Sequence, residues 1–201
     1  MGYYQKAIDL GSINAFIKLG DLYLSIKNYE KAIESYRQAA DKGNIPAMLK
    51  LGDIYGGIEK LKNVEAAIEW YEKAANTGNS EGMFNLAWIY QYETTVKNVD
   101  KAIFWCQKAA NLDNPDAMAL LGDIYLSIRD LEHGNEWYQK AATAGDERSI
   151  NYLIIFEKFN NLDDNVKFQI SASLSILKQI DPDGDKLLNS KFCTGVHNRR
   201  L

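Results

Sequence analysis

Apolar residues recur in this chain at steps of three and four, the spacing that keeps them on one face of a helix. Ala47, Met48, Leu51, Ile54 and Tyr55 form such a stripe. The stripe then returns. The blocks Leu19-Gly20-Asp21-Leu22-Tyr23, Leu51-Gly52-Asp53-Ile54-Tyr55, Leu86-Ala87-Trp88-Ile89-Tyr90 and Leu121-Gly122-Asp123-Ile124-Tyr125 follow one another at 32, 35 and 35 residues. Each is followed by a second block: Ser35-Tyr36-Arg37-Gln38-Ala39-Ala40, Trp70-Tyr71-Glu72-Lys73-Ala74-Ala75, Trp105-Cys106-Gln107-Lys108-Ala109-Ala110 and Trp137-Tyr138-Gln139-Lys140-Ala141-Ala142. A fixed period of this size marks a repeat architecture, and each unit predicts two dissimilar helices.

Local chemistry places the helix ends. Pro46 and Pro115 stand at the start of a first helix, where a missing N–H is harmless. Asn28, Asn63, Asn98 and Asp130 open the second helices as N-caps. Gly11, Gly43, Gly78, Asp113 and Gly145 close them, at a position that favours left-handed backbone. Small residues at Gly20, Gly52, Ala87 and Gly122, and at Ala39, Ala74, Ala109 and Ala141, let helices approach closely, with Trp and Tyr filling the gaps as core. Cys106 takes the place of Tyr36, Tyr71 and Tyr138 and is expected to be a buried, inert thiol.

The paired motifs A-x-x-x-L-G-x-x-Y and A-x-x-W-Y-x-x-A-A-x-x-G, recurring in order over residues 3–145, resemble Sel-one-like repeats, relatives of the tetratricopeptide repeat. The resemblance implies an all-α, right-handed superhelix (solenoid) of about four helix hairpins, with first helices lining a concave groove used for protein interaction. It divides the chain into a half repeat at 1–11, repeats at 12–43, 44–78, 79–113 and 114–145, a degenerate cap at 146–180 and a C-terminal tail at 181–201. The Cys pairs of secreted relatives are absent from these repeats. The half repeat matches only a second helix, which suggests self-association through Tyr3, Tyr4 and Ile8, or a missing segment. In the cap, Ser149–Phe159 reads as a degenerate first helix, with Ile154 and Glu157 where Gly and Tyr stood. Between Val166 and Ile180 both a strand period and a helix period fit; the helical context favours a helix, which Asp181-Pro182 stops.

Under the resemblance, phase on the first helix names the groove. Two residues after the repeat Leu come Asp21, Asp53, Trp88 and Asp123, a ladder of three carboxylates and one indole. Two before it come Ile17, Leu49, Phe84 and Ala119, and further along lie Leu24, Gln91, Tyr92 and Leu126. Phe84, Trp88 and Tyr92 share one face, while Met83, Leu86 and Tyr90 already supply a core stripe. The third repeat is therefore expected to present an exposed aromatic cluster of the kind enriched at interfaces.

The chain has 201 residues, 25% charged and 46% hydrophobic, as an ordinary globular array does. A net charge of −4 disfavours nucleic acid and favours a basic protein partner. Short apolar runs such as Tyr152–Phe156 exclude a membrane span, and the N-terminus carries no secretory signal, so a cytoplasmic address is expected. Two cysteines, Cys106 and Cys193, do not make a disulfide framework.

Rival chemistries are incomplete. Asp181, Asp183 and Asp185 resemble the opening of a calcium loop, but Lys186 and Phe192 stand where Gly and a bidentate Glu belong. Cys193 and His197 offer two zinc ligands where a structural site needs four. No zinc-protease, phosphate-loop or nucleophile-elbow motif occurs, and His133 reads as a surface residue. The reading is a protein-interaction module, adaptor or scaffold, without catalysis, cofactor or metal. The alternative is a bacterial immunity protein whose acidic groove wraps a basic toxin.

Overall fold

The computed structural model describes residues 2–167. Its helices are α1 (Gly2–Asp9), α2 (Ile13–Ser25), α3 (Tyr29–Ala40), α4 (Ile45–Gly57), α5 (Val64–Asn76), α6 (Ser80–Tyr92), α7 (Val99–Ala110), α8 (Pro115–Ser127), α9 (Leu131–Thr143) and α10 (Glu147–Asn160). No strand occurs among the described residues. The chain divides at Tyr152/Leu153 into two units. In the first, α2–α3, α4–α5, α6–α7 and α8–α9 pair as hairpins, and each hairpin packs on the next through α3–α4, α5–α6 and α7–α8. The second unit is described to residue 167 and includes the second half of α10, which carries exposed Ile154 and Ile155. The remainder of the expected cap, the tail and its Asp181, Cys193 and His197 lie outside the described residues.

Why each helix begins where it does is visible in side-chain caps. Asn28, Asn63, Asn98 and Asp130 accept from the N–H three residues on, at 2.9–3.3 Å, as the sequence predicts. Asn44, Asn79 and Asn114 do the same for α4, α6 and α8. Each such cap is worth about 1 kcal/mol. At the other ends, Gly11, Gly43, Gly78 and Gly145 have φ between 81° and 92°, and Asp113 follows them at 55°.

The unequal period has a physical origin. In the first and fourth repeats the two helices are joined by a tight turn through left-handed Lys27 and Arg129. The second and third use longer connections, Ile58–Asn63 with a single 3-10 turn and Glu93–Asn98. Lys62 Nζ meets Glu93 Oε1 at 3.0 Å and ties these two loops together. The core is built from what the repeat preserves: Leu51, Leu86 and Leu121, with Ala39, Ala74, Ala109 and Ala141, are sealed from solvent. Burying each leucine contributes about 2 kcal/mol.

Candidate functional site

In three of the four repeats the aspartate of the first helix is held from within the hairpin. Tyr36 Oη donates to Asp21 Oδ1 at 2.8 Å, Tyr71 to Asp53 at 2.8 Å and Tyr138 to Asp123 at 2.5 Å. The glycine preceding each aspartate makes room for the ring. A Cβ at Gly20 would sit 2.7 Å from Tyr36 Cε1, one at Gly122 would sit 2.9 Å from Tyr138 Cδ2, and one at Gly52 would enter the Tyr71 ring. Gly, Asp and Tyr therefore form one device, a ring over bare backbone with its hydroxyl on the carboxylate.

Burial, with the neighbouring carboxylates, pushes the Tyr36 and Tyr138 hydroxyls far above the ordinary phenol range, so both remain donors. Burial also raises the Asp123 carboxyl, against the lowering influence of the Tyr138 hydrogen bond and Arg148. Each carboxylate of the expected acidic ladder is thus engaged through one oxygen within its own hairpin. Asp21, Asp53 and Asp123 are half-buried, and the second oxygen of Asp21 stands 3.9 Å from Lys18 Nζ.

The third repeat lacks the device at all three positions. Ala87 replaces the glycine, Trp88 the aspartate and Cys106 the tyrosine. Ala87 and Cys106 are sealed in the core, and burial, then Asp123, pushes the Cys106 thiol up. The logic is steric and polar together. A tyrosine at position 106 would strike the Ala87 methyl and would find no carboxylate at position 88. Position 88 has no hydroxyl to receive and carries an indole instead: Trp88 is 42% exposed and Tyr92, one turn on, is 47% exposed. Their ring centroids lie 5.2 Å apart with planes tilted by 48°. The joint replacement is legible when the repeats are aligned as units, whereas reading one position at a time leaves Cys106 an isolated oddity.

The remaining groove candidates divide differently from expectation. Ile17, Leu49 and Phe84 are half-buried and pack on the core clusters, Leu49 on both of them, and Ala119 is sealed within one. Gln91 is only 6% exposed, which removes it from any binding face. It stands in the register of Leu24 and Leu126, the flank turned toward the partner helix of the same hairpin, where Leu126 limits the space above Gly134. Leu24 and Leu126 are likewise half-buried there. The exposed aromatic part of the candidate set is the Trp88–Tyr92 pair. Among the described residues no group of three His, Cys, Asp or Glu side chains converges as a metal site, and no helix is long and apolar enough to cross a membrane.

Comparison with known proteins follows the same boundaries. The Sel1 repeat model matches residues 1–12, 45–79, 80–114 and 115–146, more than half of the chain. A tetratricopeptide repeat model matches 13–41, so the first full hairpin departs from its neighbours. Among solved structures, a protective antigen of uropathogenic Escherichia coli with an SLR fold is 31% identical over 74% of this chain and 34% of its own, with a TM-score of 0.64. A Sel1 repeat protein from Oxalobacter formigenes is 27% identical over 76% of this chain and 66% of its own, again at 0.64. The chain thus spans a third of the first and less than two thirds of the second. An immunity protein of Pseudomonas aeruginosa is 19% identical over 92% of this chain and 76% of its own, with a TM-score of 0.52, a likeness of fold alone. No curated protein matches the sequence significantly.

Proposed function

This chain belongs to the Sel1 repeat family, and on that premise we propose that it is a non-catalytic interaction module that grips a protein or peptide partner across its first helices, as an adaptor or scaffold. Repeat arrays of this kind generally present an extended surface to other polypeptides. The observation that carries the reading is the exposed Trp88–Tyr92 pair, at the one repeat where the internal Asp–Tyr bond is absent. Neither ring belongs to the sealed core, and aromatic anchors of this size dominate interface energetics.

The net charge of −4 favours a partner that is basic around an apolar anchor. Because the aspartates are engaged by tyrosines, charge here contributes chiefly to the rate of encounter, and the aromatic pair to affinity. The test is a titration of an affinity-captured partner against Trp88→Ala and Tyr92→Ala. We expect Trp88→Ala to weaken binding about tenfold or more while the unfolding midpoint stays put; unchanged affinity contradicts the placement. A single cognate toxin held in a tight stoichiometric complex, in place of several weaker partners, would instead identify an inhibitor.

A further inference from the structure

The second helices carry another repeated device, and one repeat leaves it unfilled. Trp70, Trp105 and Trp137 occupy equivalent positions, and each is covered by the lysine three residues on: Lys73 Nζ lies 3.7 Å from the Trp70 ring centroid, Lys108 5.1 Å from Trp105 and Lys140 4.0 Å from Trp137. Trp70 is 8% exposed and belongs to the core cluster of Ala40, Met48 and Leu51, with Tyr55 packed against it. Its slot thus lies where one hairpin meets the next.

In the first repeat the indole position is Ser35 and the lysine position is Gln38. The equivalents of Ala40, Met48, Leu51 and Tyr55 are Ile8, Phe16, Leu19 and Tyr23. These four residues, with Ser35, Gln38 and the charged Lys31 and Glu34, line an open cleft of about 240 Å³, and Lys31 Nζ stands 5.5 Å from the Tyr23 ring centroid at its wall. Ile8 and Phe16 are bulkier than Ala40 and Met48, yet they do not close it. The Ser35 hydroxyl turns back onto Lys31 O at 2.8 Å and does not reach across the space.

We propose that this cleft is a docking site for a tryptophan side chain of a partner polypeptide, which completes the first repeat as Trp70, Trp105 and Trp137 complete the others. The occupant is argued from the molecule itself, since three equivalent slots of the same array hold an indole. At about 240 Å³ the cleft also falls below the roughly 300 Å³ at which small-molecule sites begin, so it suits one side chain. The site is separate from the Trp88–Tyr92 pair, and it stands or falls independently of that reading.

The experiment uses the full chain and N-acetyl-tryptophanamide, the blocked residue, followed by two-dimensional NMR. Saturable shifts confined to Ile8, Phe16, Tyr23, Ser35 and their neighbours are expected, with weaker binding of the leucine counterpart. Ser35→Trp fills the slot from within and abolishes those shifts. Gln38→Lys, at an exposed position, restores the missing lysine and tightens binding roughly threefold, the gain a cation over an indole supplies. Absence of saturable shifts at the cleft, their persistence in a folded Ser35→Trp protein, or an unchanged affinity in Gln38→Lys overturns the proposal. Should Ser35→Trp not fold, the Gln38→Lys titration decides alone.

Discussion

The second and third repeats have the same length, the same caps and the same long connection, but they handle one position of the first helix in opposite ways. In the second, Asp53 is bound to Tyr71, whose ring lies on Gly52. In the third, Trp88 points outward over a hairpin interior made from Ala87 and Cys106. The contrast teaches that a surface residue in a repeat array is set by its interior partners. Removing the tyrosine frees the position above it, and a methyl on the first helix then fills part of the space the ring gave up. A repeat can change its outer face only by changing its core at the same time.

Mixing the two solutions has the largest expected effect. Gly52→Ala places a methyl inside the Tyr71 ring, so it is expected to lower stability by about 1–3 kcal/mol, although helix propensity alone predicts a gain of up to about 1 kcal/mol. Cys106→Tyr imposes the same collision on Ala87 and is expected to cost a similar amount. Urea unfolding checks both. Combining Cys106→Tyr with Ala87→Gly and Trp88→Asp rebuilds the whole device and is expected to recover most of the loss, a coupling that single substitutions cannot produce.

Smaller changes sharpen the contrast. Tyr71→Phe keeps the ring and deletes the hydroxyl that serves Asp53, for an expected loss of about 0.5–1.5 kcal/mol. The third repeat offers no counterpart to that deletion, because Cys106 stands at the tyrosine position. A pH effect follows from Asp123, whose carboxyl is raised by burial. A folded-state pKa above the unfolded value means that its contribution is full below the unfolded pKa of about 4 and is lost as pH rises through the folded value. Asp123→Asn should therefore flatten the stability profile above about pH 4, as followed by urea midpoints across that range. Least of all, Glu93→Gln removes the partly exposed Lys62 contact between the long loops, for about 0.5 kcal/mol or less and with less effect at high salt.

Much of the fold was legible in the sequence because it depends on local chemistry. The Asn and Asp caps, the left-handed Gly closures and even Asp113 at a glycine position follow from spacing alone, and the structure bears them out. The site was less legible because a helix phase gives direction without giving occupancy. Asp21, Asp53 and Asp123 share the phase of Trp88, and nothing in that phase announces that a tyrosine from the next helix reaches each carboxylate. Gln91 has a related explanation. Helix phase put it in the groove together with Leu24 and Leu126, whereas that register turns toward the partner helix, where Gln91 is buried. The signal that was available is covariation among repeats, in which Gly, Asp and Tyr disappear together.

The most direct test compares partner capture by the natural chain and by the triple variant Ala87→Gly, Trp88→Asp, Cys106→Tyr, after urea unfolding has shown the two to be of matched stability. A partner retained by the natural chain is expected to lose at least about tenfold in affinity for the variant. Equal affinity for both proteins would contradict the placement of the binding anchor at the third repeat.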